Sequence, residues 1–129
     1  MNVEIFTLCN YVEDNDGSQY ITHTFDSFIV ENKSEIFDFF IACKIRLNES
    51  EMDITHTFSF EIITPDGDVI PSEAKGSFNL QNLPGINGGV HLQIDNKMRF
   101  DSFGTYSINL LVDGKSVSTI PFFVRNKIK

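Results

Sequence analysis

The pentapeptide Ile21-Thr-His-Thr-Phe25 recurs as Ile54-Thr-His-Thr-Phe58. On extended backbone, the Ile, His and Phe of each copy project to one face and the two Thr to the other. If the copies were neighbouring strands, His23 and His56 would meet and supply two of the ligands that a zinc or copper site takes. No Cys or His stands at ligand spacing to complete the set, and His91 belongs to a distant strand. The repeat therefore reads as β-favouring residues, each histidine capping a core face through one hydrogen bond. No metal and no cofactor is expected.

Other chemistry-bearing residues fare no better. Neither Cys9 nor Cys43 sits beside a histidine or at a helix N-terminus that would lower its pKa, so neither reads as a nucleophile. They read as free, buried thiols of a reducing compartment. The Asp14-Asn-Asp-Gly17 run misses the calcium-loop template: its first position would be Val12 and its bidentate glutamate His23. Pro84-Gly-Ile-Asn-Gly-Gly89 lacks the Gly-Lys-Ser/Thr ending and the following helix that cradle a phosphate. Glu49, Glu51 and Asp53 crowd one loop, whereas a glycosidase holds its carboxylates on opposed walls. No catalytic residue, and no enzyme, is expected.

The elements that must position these residues are strands. Tyr106, Ile108, Leu110 and Val112 alternate with Ser107, Asn109 and Asp113, the period of a strand with one buried face. Asp113-Gly114 supplies the positive φ angles of a tight turn, and the apolar run to Val124 returns, giving a β-hairpin. Tyr106 at its start reads as a tyrosine corner, with Gly104 letting the chain enter closely. Upstream, strands are predicted over 3–12, 20–31, 36–47, 54–64, 69–71, 74–83 and 90–94. The 36–47 segment carries Phe37, Phe39, Ile41, Cys43, Ile45 and Leu47 on one face and Asp38, Lys44 and Arg46 on the other. In the last strand Pro121 marks an edge or a bulge. Helical periodicity is absent. Eight or nine strands predict an all-β, immunoglobulin-like two-sheet antiparallel sandwich, one domain over residues 1–129.

Composition agrees. Thirteen Phe and no Trp among 129 residues suit a packed β core. A net charge of −8 argues against nucleic acid and against anionic membranes. The first residues lack the charge and apolar core of a secretory signal, and no window is long and apolar enough to span a bilayer, which predicts a cytoplasmic protein.

Val3-Glu-Ile-Phe-Thr-Leu-Cys-Asn10, Thr24-Phe25-Asp26 and the hairpin Gly104-x-Tyr106…Val112-Asp-Gly114…Ile120-Pro-Phe-Phe-Val124 resemble, in this order, an uncharacterised bacterial family of small β-sandwich proteins. The chain departs from that family's pattern at His23, where Gly is expected before Thr-Phe-Asp, and at Asn10, where Asp is commoner. The resemblance implies the fold and no activity.

These readings predict a non-catalytic module that binds another protein or assembles with itself. Its recognition residues fall in the loops Asp14–Ser18, Asn48–Asp53 and Leu83–Gly89. The alternatives are a carbohydrate-binding or hydrolytic sandwich, for which Phe103 and Phe123 are the few aromatic candidates, and a phage or capsule structural subunit.

Overall fold

A computed structural model describes residues 1–15, 17–84 and 89–127. Asp16 and residues 85–88 of the expected recognition loops lie outside the described residues. The strands are β1 (Asn2–Asn15), β2 (Ser18–Phe25), β3 (Ser27–Val30), β4 (Phe37–Arg46), β5 (His56–Ile63), β6 (Val69–Phe78), β7 (Gly89–Met98), β8 (Gly104–Val112) and β9 (Lys115–Asn126), with a 3-10 turn at Glu49–Glu51. Two sheets form, ordered β2-β1-β4-β7 and β3-β9-β8-β5-β6. The second curls into a half-barrel. Among the described residues the fold is thus all-β, with two sheets and nine strands.

The core lies between the sheets. Leu8, Phe39, Ile41, Cys43 and Ile45 come from the first sheet, and Phe60, Ile108, Leu110, Phe122 and Val124 from the second. Phe28 from the short β3 sits among them, its ring 4.9–5.7 Å from those of Phe25, Phe37, Phe39, Phe100 and Phe122. The tyrosine corner is present: the Tyr106 hydroxyl donates to the Ser102 carbonyl at 2.8 Å, while its ring stacks on Phe122. Gly104 enters it at φ +130°, and a β-carbon there would lie 3.2 Å from Pro65. That position excludes a side chain on both counts.

Three segments differ from the sequence reading. The single strand expected over 20–31 is two, because the chain leaves the first sheet at Asp26 and β3 joins β9 in the other. Asp26 marks the crossing, its carbonyl accepting from the Phe123 amide at 2.8 Å. This pairing is parallel, so the architecture is not wholly antiparallel. The two strands expected over 69–83 are one, β6. Its register against β5 shifts between Ser59↔Lys75 and Glu61↔Pro71, so Ser72, Glu73 and Ala74 bulge opposite Phe60. Finally, β7 runs on through Asp95-Asn96-Lys97, where a break was expected. Pro121 falls where β9 has no second neighbour, since β3 pairs only from Phe123 onward; its missing N–H leaves no gap in a ladder.

β1 pairs with β4 only as far as Cys9↔Phe40 and continues with β2 alone. The β1–β2 hairpin then crosses the outer face of the first sheet. Val12 and Ile21 cover Ala42 and Cys9, and Asp14 reaches His91 on β7 at 3.3 Å. The water-facing side expected for the fourth strand is therefore partly covered. At the point of departure His23 adopts φ +52°, a left-handed conformation that costs a residue with a β-carbon roughly 1–2 kcal/mol. This is the position at which the family resemblance calls for Gly. His23→Gly is expected to raise stability by about 0.5–1 kcal/mol, relief of strain outweighing glycine's extra chain entropy. His23→Val is expected to lower it by about 1 kcal/mol or more. Urea titration of the three proteins checks the order Gly above His above Val.

Candidate functional site

The two copies of the repeated pentapeptide meet different fates. β2 is an edge of one sheet and β5 is inside the other, so His23 and His56 do not come together. His23 is exposed, 3.5 Å from Asn10. His56 is only 6% exposed. Among the described residues no group of three or more His, Cys, Asp and Glu gathers as metal ligands would.

His56 opens β5 at one end of the two-sheet fold. Its Nδ1 lies 2.6 Å from Asp113 Oδ2 and its Nε2 2.7 Å from the Glu51 carbonyl oxygen. Both partners are acceptors, so both ring nitrogens donate, which is the hydrogen-bonding pattern of an imidazolium. The Asp113 carboxylate, with the Glu51 carbonyl, holds the His56 pKa above the ordinary imidazole value against the opposing cost of burial. In turn His56, together with the Thr57 amide, holds the Asp113 carboxyl below the usual range. The ring packs on Phe78 at 5.4 Å. Asp113 reaches this place because it occupies the positive-φ position of the β8–β9 turn (φ +52°), with Gly114 following at +79°. Its Oδ1 accepts from the Thr57 amide at 3.0 Å, and its own amide donates to the Thr57 carbonyl at 2.9 Å.

His56 therefore ties three segments together: the 49–51 turn, the start of β5 and the β8–β9 hairpin. Asn82 adds the segment after β6. Its amide donates to Asp53 Oδ1 at 3.1 Å and its Nδ2 to Glu49 Oε1 at 3.3 Å. The Asp53 amide donates to the Leu80 carbonyl at 2.8 Å. Glu51 Oε1 closes the turn by accepting from the Asn48 amide at 2.8 Å. Glu49, Glu51 and Asp53, which read in sequence as carboxylates crowded into one loop, are each spent on loop architecture. Of the three expected recognition loops, Asn48–Asp53 and the described start of Leu83–Gly89 thus lie side by side. Asp14 of the first loop is held away from them, at His91. Beside the Asp53–Asn82 link stand Ile54 and Leu83, 50% and 46% exposed.

Neither thiol joins this end. Cys9 and Cys43 are free, buried and in separate apolar clusters. Burial pushes the Cys43 thiol up to about 12 and raises that of Cys9, the reverse of a nucleophile's requirement. Phe103 is exposed and Phe123 half-buried. Sequence reasoning missed Asp113 and Asn82 as members of the cluster. Asp113 gave one signal, an Asp before Gly in a tight turn, and its 57-residue separation from His56 hid the pairing.

The fold and this loop end define a two-sheet β scaffold with a hydrogen-bonded platform at one end. The chain matches DUF6941, a family of unknown function, across residues 4–125, and belongs to that family. Among curated proteins none matches it. Of solved structures, it is similar to the Pseudomonas fluorescens alkylpurine DNA glycosylase AlkC bound to DNA containing an abasic site analog. The TM-score is 0.52 at 10% identity, over 96% of this chain and 30% of that one. This chain spans less than a third of the neighbour's length, and the likeness is one of fold.

That neighbour corrects one expectation. A protein partner or homo-oligomer was expected, with nucleic acid excluded on net charge, yet the neighbour bearing this fold is in a complex with DNA. A charge of −8 sums the whole chain and does not describe a single surface; β9, for example, carries Arg125 next to its last residue, with Lys127 just beyond it. The exclusion does not stand. For the membrane, no helix among the described residues is long and apolar enough to cross one.

Proposed function

We propose that the chain is a non-catalytic protein-recognition module, an immunoglobulin-like scaffold of the cytoplasm that presents its loop end to a partner. The observation that carries this reading is the exposure of Ile54 and Leu83 on two loops pinned to each other by Asn82. Apolar side chains held out on rigid loops are what a recognition surface needs, because little ordering entropy remains to be lost on binding. The buried, unpaired thiols support a reducing compartment.

Affinity purification from the native cell with immobilised wild-type protein and with Ile54→Asp/Leu83→Asp tests it. The expected result is a partner protein retained by the wild type and lost from the variant, with both proteins melting alike. Equal retention by the two proteins overturns the reading. So does binding of a labelled DNA duplex, measured by fluorescence anisotropy, that survives the double substitution.

A second reading, carbohydrate binding, draws on one observation absent from the sequence argument. Tyr11 and Tyr20, 50% and 54% exposed, lie diagonally across the β1–β2 hairpin, since Tyr11 faces Thr22 and Tyr20 faces Glu13. Diagonal neighbours on one face stand close enough for large side chains to form one surface. A glycan array without hits removes this reading.

A further inference from the structure

Each sheet ends in two strands with a free edge, and three of the four edges are blunted. β2 is interrupted by the left-handed His23. β3 is four residues long. β6 carries Pro71 and the Ser72–Ala74 bulge. These are devices by which proteins stop edge-to-edge pairing. β7 has none of them. It pairs with β4 over ten consecutive residues, Gly89↔Arg46 to Met98↔Phe37, without a register shift, and among the described residues nothing pairs with its other side. Along its second half runs a groove of about 530 Å³, with Ile94 and Met98 on one wall and Ile62, Ile70 and Ala74 on the other. The groove lies along the β7 edge, its apolar walls interrupted by Ser72, Glu73 and Asn96.

We infer that this edge pairs with the same edge of a second copy, antiparallel about Asn96, joining two four-stranded sheets into one. The charge pattern selects this occupant and this register. Along β7, Asp95 and Lys97 share the outer face, while Ile94 and Met98 face inward. Centring the two-fold on Asn96 sets Asp95 opposite the second copy's Lys97 twice over, and Ile94 opposite its Met98 twice over. Opposite charges directly across a ladder stabilise it, and like charges destabilise it. A two-fold centred on Asp95 sets the two aspartates against each other; one centred on Ile94 sets Asp95 against Gln93 and Lys97 against His91, so neither charged residue meets its opposite. Slippage by one residue also exchanges the faces unless both strands move together, so few registers compete. Within one copy Asp38 beside Asp95 pushes its carboxyl up, with Lys97 opposing, and a second copy's Lys97 set across the ladder from Asp95 adds to that opposition. The interface also caps the apolar wall of the groove, and it lies away from the loop end, so the two proposals stand or fall separately.

Sedimentation velocity of the full chain over a concentration series, at low salt, reads the association directly. The expected result is a reversible monomer–dimer equilibrium. Asp95→Lys and Lys97→Asp should each weaken it roughly tenfold or more, since each removes two ion pairs and creates two like-charge contacts. The double exchange Asp95→Lys/Lys97→Asp should restore it. Ile54→Asp/Leu83→Asp should leave it unchanged. A wild-type protein that stays monomeric at every concentration overturns the inference. So does a double exchange that associates no better than its parents while melting as they do.

Discussion

Phe28→Ala is expected to lower the unfolding free energy by about 3–5 kcal/mol, the range for truncating a fully packed Phe. Phe28 is held to 5% exposure on a four-residue strand. Its ring is the meeting point of five others, contributed by β2, β4, β9 and the segment entering β8. Surrounding rings are rigid and collapse poorly into the space left, so the cavity persists and the cost lies toward the upper end. Against a typical total of about 5–15 kcal/mol, that loss removes a third or more of the stability of the domain. For a chain of this size it corresponds to a melting temperature lower by roughly 10–20 °C. Phe28→Leu, which keeps much of the volume, should cost under half as much. Thermal melts of the two variants check the order; equal, small losses from both would mean that β3 is docked loosely and the core is filled by other residues.

His56→Leu carries the second largest effect, about 1.5–3 kcal/mol, because it removes two hydrogen bonds of which one is charge-assisted. It also leaves the Glu51 carbonyl without a donor. Asp113 is half exposed and returns to water, which limits the loss. The pH dependence separates this account from simple packing. His56 has its pKa raised above 6.5 in the folded chain. Its contribution is therefore fully present below the unfolded value and is lost as pH rises through the folded one. Asp113 has its pKa lowered below 3.8, so its contribution is present above that value and lost as pH falls through the folded one. The pair is strongest between about pH 4 and 6.5, bounded by the two unfolded values. Wild-type stability should fall from pH 6 toward pH 8 through this site, and His56→Leu should flatten that slope. Chemical denaturation at a series of pH values measures both.

The β8–β9 hairpin, its tyrosine corner and the one-faced run of β4 were legible because each is specified locally. Asp113-Gly114 permits only a tight turn, and Phe39, Ile41, Cys43 and Ile45 alternate without interruption. What was not legible depends on residues far apart in the chain. Phe25 and Phe28 both carry aromatic rings to the core, and only the position of β9 decides that the chain changes sheets between them. The two Ile-Thr-His-Thr-Phe segments are identical, yet one histidine bends a hairpin and the other is a buried strut. Asp113 makes the difference for His56, and the departure of β1 from β4 makes it for His23. Local sequence cannot carry either fact. The same holds for the loop end: the acidic residues 49, 51 and 53 look solvated until Asn82 and the Asn48 amide are placed against them.

The loop end is a preformed platform, held by His56, Asp113 and Asn82 before any partner arrives. Amide hydrogen exchange of the free protein near pH 6 tests this most directly, read at Asp53, Thr57, Asn82 and Asp113, whose amides donate to Leu80, Asp113, Asp53 and Thr57. Protection at all four that is lost in His56→Leu at Thr57 and Asp113, while β8 stays protected, is the predicted result. Exchange at Asp53 and Asn82 as fast as in an unstructured peptide would contradict it.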